Sequence, residues 1–222
     1  MSIIAVTGMK REARIAAGPN VVVVIGAGNA ERLSGALDRA ISTGARGIIS
    51  FGVAAGLVPS TKAGDCVIAS SIIDREARYA TDAAWSERLR QRLPEARLAR
   101  IAGAQALLCD AAAKRELYRR TSAIAADMES HIVARLAAER GIPFAALRVI
   151  LDGADRSLPE AATVALTASG GVNLLLVAGS LLHRPGQIAS LLQTAREARI
   201  AFRALLRCRH ALGIGLAGAD FA

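Results

Sequence analysis

The chain has 222 residues and 23.0 kDa, enough for one domain over residues 1–222, and its 53% hydrophobic residues supply a large core. Only 3% are aromatic, which disfavours an aromatic-rich barrel and favours an α/β layer structure built from Ala, Val, Leu and Ile. The net charge of +9 invites nucleic acid, but the arginines lack interleaved aromatics and no nucleic-acid motif is present, so that partner is excluded. Cys66, Cys109 and Cys208 are odd in number and show no ligand spacing, and they read as reduced structural thiols of a cytosolic protein.

In chain order, residues 3–6 form a first apolar strand rather than a signal peptide, since no basic segment, long apolar run and cleavage site precede or contain them. Residues 7–12 turn into a helix, where Glu12 can serve simply as a surface partner of Lys10, Arg11 or Arg14. Residues 21–25 make a second strand ending in Gly26-Ala27-Gly28. Glu31 stands where a dinucleotide fingerprint needs glycine, so that motif fails, leaving a simple turn or a close approach to a small ligand.

Residues 32–43 are helical, and residues 48–51 form a third strand leading into a turn at Gly52-Val53-Ala54-Ala55-Gly56-Leu57. Small residues in such a turn leave backbone amides accessible to an anion or to water. Residues 75–94 read as a charged helix or surface excursion, residues 98–102 as a returning strand, and residues 111–120 as a charged helix.

Ile132, Val133, Leu136 and Ala137 recur at helical spacing, and Arg140-Gly141 supply a basic last turn and a glycine stop, so a helix is predicted over 128–140. Pro143 prevents its continuation, and residues 144–151 are an apolar run suited to a strand covered on both faces. Glu129 thus lies at the mouth of a helix and Asp152 at the C-terminal end of a strand, the edge at which open α/β sheets bind ligands. From spacing alone these acids read first as a helix-dipole partner and a cap, and Asp155 as an acid that satisfies its own loop. Strand alternation puts Arg148 on the same face as Asp152.

Residues 161–182 are uncharged, but Gly170-Gly171 and Asn173 in their middle favour a loop and a buried helix over a membrane span. The closing helix, residues 190–209, carries Leu191, Ala195, Ala198, Phe202 and Leu205 on one stripe and Arg196, Arg199, Arg203 and Arg207 on an adjoining one. There is no Gly-x-Ser-x-Gly elbow and no Walker loop. His131, His183 and His210 lack metal spacing, so neither a metal nor a cofactor is expected, and His131 reads as a helix-surface residue.

Ala-Asp-Met-Glu-Ser at 126–130, Gly-Ile-Pro-Phe at 141–144 and Leu-Arg-Val-Ile-Leu-Asp-Gly-Ala-Asp at 147–155 resemble the purine nucleoside phosphorylase and methylthioadenosine nucleosidase superfamily. Met9-Lys10-Arg11-Glu12 resembles its Met-x-x-Glu opening. Residues 52–57 resemble its Gly-Ser-Ala-Gly-Gly-Leu turn, and residues 62–68 its Lys-x-Gly-Asp-x-Val-x strand. The resemblance spans residues 3–155 and implies a three-layer α/β/α sandwich around a mixed sheet, a homo-oligomer, and cleavage of the N-glycosidic bond of an adenosine-like nucleoside.

By the same resemblance, Asp152 is the general acid toward the purine N7, Glu129 binds the ribose hydroxyls and Glu12 orients an attacking water. Met128 packs beneath the ribose, Leu107 and Leu108 bracket the purine, Gly52, Val53 and Ala54 line the nucleophile's side, and Arg148 steadies the acids. Two positions depart from the pattern: Val53 replaces a serine that holds phosphate or water, and Leu151 replaces a serine beside the acid. The first departure shifts the expectation from phosphorolysis toward hydrolysis, with phosphate left open as co-substrate.

Beyond residue 159, His183-Arg184-Pro185-Gly186-Gln187-Ile188 and the arginine-rich helix resemble the hopanoid-associated branch of the superfamily, which acts on adenosylhopane. That branch implies a lipid-tailed substrate and a cytoplasmic protein peripheral to the inner face of the membrane. The closing helix serves either as a cover for the sheet or as a basic amphipathic surface against anionic lipid. A methylthioadenosine or other soluble nucleoside is the alternative substrate. A noncatalytic nucleoside-binding or membrane-surface module is the alternative class: Val53 and Leu151 suit it, whereas the three acids suit an enzyme.

Overall fold

The computed structural model describes residues 2–26, 29–159 and 185–218. Its elements run β1 (Ile3–Thr7), α1 (Lys10–Ala16), β2 (Val21–Ile25), α2 (Ala30–Ile41), β3 (Gly47–Gly56), β4 (Cys66–Asp74) and β5 (Ala77–Ala80). They continue α3 (Ala83–Arg92), β6 (Arg97–Gly103), α4 (Ala111–Thr121), β7 (Ala125–Asp127), α5 (Ser130–Arg140), β8 (Phe144–Asp152) and α6 (Ile188–Leu212).

The strands form one mixed sheet. β1 lies between β2 and β3, parallel to both, and β3 runs parallel to β8. β8 meets β4 antiparallel, β4 runs parallel to β6, β6 to β7, and β7 returns antiparallel to the end of β3. Strands β3, β8, β4, β6 and β7 therefore close into a ring, an arrangement finer than the open sheet expected from the apolar runs.

Strand alternation sorts the apolar side chains into two layers. Ile3, Ala5, Leu147 and Val149 pack with Ala16 of α1, Trp85 and Leu89 of α3, and Ala201, Phe202 and Leu205 of α6. Ile4, Val6, Ala146 and Ile150 pack on the other side with Leu33 and Leu37 of α2 and Ile132, Val133 and Leu136 of α5. The result is the predicted α/β/α sandwich, and burial on both faces is why β1 and β8 are unbroken apolar runs.

The helices begin and end where local chemistry dictates. Asn29, Asp82 and Asp110 accept a hydrogen bond from the amides of Arg32, Trp85 and Ala113, capping α2, α3 and α4. Gly141, with φ 62, closes α5 in the left-handed conformation.

Several expectations are corrected. Residues 52–56 are not a turn but the second half of β3, in which Gly52, Val53 and Ala54 pair with Arg148, Val149 and Ile150. Residues 75–94 divide into the β4–β5 hairpin turn, β5 and α3, and the short strand β7 precedes α5. Residues 161–182 and His183 lie outside the described residues. In α6 the residues from Ala201 to Leu212 bury Phe202, Leu205 and Cys208, whereas Leu191 and Ala198 are only half-buried and Ala195 is exposed. Arg196, Arg199, Arg203 and Arg207 all face outward. Among the described residues no helix is long and apolar enough to cross a membrane.

Candidate functional site

The first acid follows β1. Glu12 is buried in the first turn of α1, where Oε2 accepts from the amides of Gly8 and Met9, each at 2.7 Å. A carboxyl three residues into a helix is well placed to reach back to those unsatisfied donors. Its Oε1 accepts from the amide of Val53 at 2.7 Å, tying α1 to β3. Glu12 is therefore not a surface partner of Lys10, Arg11 or Arg14. Burial pushes its carboxyl above the ordinary value of 4.5, while Arg148 and the amides of Val53, Met9 and Gly8 pull it back.

The second group surrounds Arg148, which is fully buried on β8. Its Nη2 donates to Ser50 Oγ at 2.5 Å, Asp127 Oδ1 at 3.0 Å and Ser130 Oγ at 3.1 Å, and lies 3.9 Å from Glu129 Oε2. Asp127, inside the Ala-Asp-Met-Glu-Ser stretch, is a member of this cluster that the sequence does not single out. Its Oδ1 also accepts from the amides of Glu129 at 2.8 Å and Ser130 at 2.6 Å, so it caps the start of α5. The signal for it was an Asp two and three residues before a helix's first amides.

Two glycines make this packing possible. A methyl group on Gly52 would lie 2.5 Å from Glu12 Oε1 and 2.6 Å from Arg148 Nη1, and one on Gly8 would lie 2.9 Å from Glu129 Oε1. Glu12, Glu129, Asp127 and Arg148 thus converge at the C-terminal end of β1 and against the middle of β3 and β8. Arg148 Nε and Nη1 and Asp127 Oδ2 have no hydrogen-bond partner among the described residues.

Asp152 is buried at the end of β8, but in a neighbouring cluster. The β3–β8 register slips between Ala54 and Ala55, which pair with Ile150 and Asp152, so Leu151 is an extra residue. The simple alternation that put Arg148 and Asp152 on one face is interrupted there. Asp152 Oδ2 accepts from Nζ of Lys114, a wholly buried lysine of α4. Burial pushes the Asp152 carboxyl above its ordinary 3.8, opposed by Lys114. Lys114 lies on the face of α4 that carries Leu117 and Thr121, a spacing legible in the sequence but masked by the charged residues around it.

The remaining predicted residues divide. Val53 and Met128 are half-buried beside Glu12 and Glu129 in the chain's path. Leu108 is half-buried against Leu57 and Ala126, while Leu107 is 37% exposed. Ala54 is a core side chain of the layer containing Ile150, which leaves only its backbone to face a ligand. Asp155 is exposed. His131 is buried rather than on the surface: its ring packs on Gly103, its Nε2 is 3.2 Å from Gln105 Nε2, and burial pushes it below its ordinary value. Among the described residues no cluster of acids, histidines and cysteines could hold a metal ion. A separate cavity of about 450 Å³, lined by Arg88, Gln91, Arg92, Ile214, Ala217 and their neighbours Leu212, Gly213 and Gly218, shares no residue with these clusters and has no carboxyl in its lining.

Buried acids lie beside the C-terminal end of β1 and at that of β8 in a mixed sheet covered on both faces, and the C-terminal edge is where sheets of the α/β class bind small molecules. The family model described as the phosphorylase superfamily matches residues 4–172, and the chain belongs to that superfamily. No curated protein matches it by sequence. Among solved structures it is similar to a mutant Helicobacter pylori nucleosidase with 5′-methylthioadenosine in its active site, at 15% identity and a TM-score of 0.65, over 82% of this chain and 98% of that one. It is also similar to futalosine hydrolase of Helicobacter pylori, at 15% identity and a TM-score of 0.66, over 94% and 97% of the two chains. The methylthioadenosine/S-adenosylhomocysteine nucleosidase of Campylobacter jejuni aligns at 16% identity and a TM-score of 0.63, over 93% and 99%.

Proposed function

We propose that the protein cleaves the N-glycosidic bond of an adenosine-like nucleoside and releases adenine. The observation that carries this is the convergence of buried Glu12 and Glu129 on buried Arg148, with Asp152 at the end of the same strand. Breaking the bond puts positive charge on the sugar and negative charge on the base, and this set of groups answers both needs. Glu129 accepts the ribose hydroxyls and favours the sugar cation, with Met128 packed beneath the ring. Glu12 orients the nucleophile, and Asp152, kept protonatable by burial, donates to the purine N7. Leu107 and Leu108 bracket the base. Arg148 supports Glu129 through Asp127 and the serines, and its two unpartnered donors suit a water or a hydroxyl of the substrate.

The nucleophile is water rather than phosphate. Glu12 already occupies the amides of Gly8, Met9 and Val53, and Val53 offers no hydroxyl, so a dianion would enter next to a carboxylate with few donors left for it. The substrate we favour is adenosylhopane. The support is the sequence likeness around His183–Ile188 together with the outward arginines and exposed Ile188 and Leu192 of α6, which suit a lipid-tailed substrate presented at an anionic membrane from the cytoplasmic side. A homo-oligomer is expected as in the superfamily. A soluble substrate such as methylthioadenosine is the second reading, favoured by the nucleosidase structures that this fold matches.

The test is adenine release from adenosylhopane, methylthioadenosine and adenosine, each with and without phosphate. Release from adenosylhopane alone, independent of phosphate, is the expected result. A phosphate requirement overturns the hydrolytic step, and release from none of the three favours a nucleoside-binding module that has lost its chemistry.

A further inference from the structure

Lys114 is wholly buried, an environment in which lysine is rare unless its charge is met. Its Nζ donates to Asp152 Oδ2 and, at 2.9 Å each, to the carbonyls of Gly153 and Arg156. Three acceptors answer the three N–H bonds of an ammonium group, and two of them are carbonyls that accept only from a donor. The surroundings hold this geometry. Asp110 caps the first turn of α4, on which Lys114 stands, and the amide of Leu158 donates to the carbonyl of Cys109 at 2.8 Å, clipping the segment after β8 to the start of α4.

We propose that Lys114 is a positioning residue for departure of the base: it clamps the Asp152 carboxyl at the end of β8 and, by its charge, governs whether that carboxyl carries a proton. This rests on the nucleosidase reading above. In the step, the bond between C1′ and the purine nitrogen breaks and its electron pair stays with the base. The Asp152 proton passes to the base, water gives its hydroxyl to C1′, and its remaining proton goes to Glu12 and returns to Asp152 through solvent. As the base leaves, Asp152 becomes a carboxylate, and the charge that develops there forms against an ammonium already in place. Burial favours the protonated carboxyl, Lys114 the ionised one, and their opposition keeps the acid both loaded and strong. The other charged groups facing Asp152 are Arg156, in the segment after β8, and Glu197 on α6, which pair with each other at 3.4 Å.

A group that must be protonated to act supports turnover below its pKa and loses it as pH rises through that value. Removing the neighbouring ammonium raises that value, so the alkaline limb of the rate profile moves to higher pH. The experiment measures adenine release against pH for the wild-type protein, Lys114→Gln and Lys114→Arg. Lys114→Gln should move the alkaline limb of kcat/KM upward by about 1–3 pH units and lower kcat, with KM held within about threefold. Lys114→Arg, which keeps the charge, should leave the limb in place. An unmoved limb in a folded, active Lys114→Gln protein overturns the role of Lys114 alone, whereas a wild-type protein that releases no base overturns the nucleosidase reading and this inference with it. Should Lys114→Gln not fold, the carboxyl of Asp152 is titrated by carbon-13 NMR in the wild-type protein, assigned with Asp152→Asn. Its midpoint should coincide with the alkaline limb, and a mismatch overturns the proposal.

Discussion

The middle of β8 and its C-terminal end meet buried acids in different ways. At Arg148 the positive charge is shared: one guanidinium serves Asp127, Ser50 and Ser130 and stands beside Glu129, while backbone amides satisfy much of Glu12 and Asp127. At Asp152 a single ammonium provides the side-chain contact. A distributed network fixes geometry, because no one bond decides where the others lie. A single ion pair leaves its carboxyl sensitive to one neighbour, which suits a group that must lose and regain a proton.

Breaking the distributed network should cost most. Arg148→Met leaves Asp127 and its neighbouring acids buried without their cation, and a loss of about 3–5 kcal/mol is expected in urea unfolding. Arg148→Lys should recover only part of it, since all three contacts are made from Nη2 at the tip of a side chain one atom longer than lysine's. At the end of the strand, Asp152→Asn should lower kcat for adenine release by about 10²–10⁴-fold while KM changes little. Stability losses near those of Arg148→Met in this variant would remove the contrast between the two sites.

A steric change sharpens the comparison without touching a charge. Gly52→Ala forces a methyl group between Glu12 and Arg148 and should cost about 1–3 kcal/mol by thermal or urea unfolding, together with most of the activity. The smallest effect is one of pH. Glu12 has a raised folded value, so its contribution to stability is present below its ordinary 4.5 and is lost as pH rises through the raised value. Glu12→Gln should therefore flatten the fall of Tm as pH rises from 4.5 through the raised value, and an identical profile in the variant would show that Glu12 titrates alike in both states.

What the sequence displayed and what it hid follow from the range of the interactions. β8, α5, its glycine stop and the acids at their ends are local patterns of apolar period, proline and glycine, and they appear where periodicity puts them, with α5 starting at Ser130 rather than residue 128. The burial of Glu12 was hidden because its third amide comes from Val53, on another strand. The extension of β3 through residues 52–56 was hidden because Gly, Val and Ala in a row look like a turn until β8 is there to pair with them. Lys114 was hidden by its neighbours: Arg115, Glu116, Arg119 and Arg120 make α4 look uniformly solvated, and only the acceptors at Asp152, Gly153 and Arg156 explain a buried ammonium. The short strand β7 has no pattern of its own, since three residues become a strand only between β3 and β6.

The ring of β3, β8, β4, β6 and β7 has a consequence for how the molecule breathes. Among the described residues the sheet ends at β2 and β5, and their outer amides are the ones that exchange hydrogen through small local openings. A ring has no end from which to fray, so the amides of β3 and β8 reach solvent only when several strands part together. Deuterium should enter β5 first and β3 and β8 last, which places Arg148 and Asp152 on the slowest-opening part of the chain.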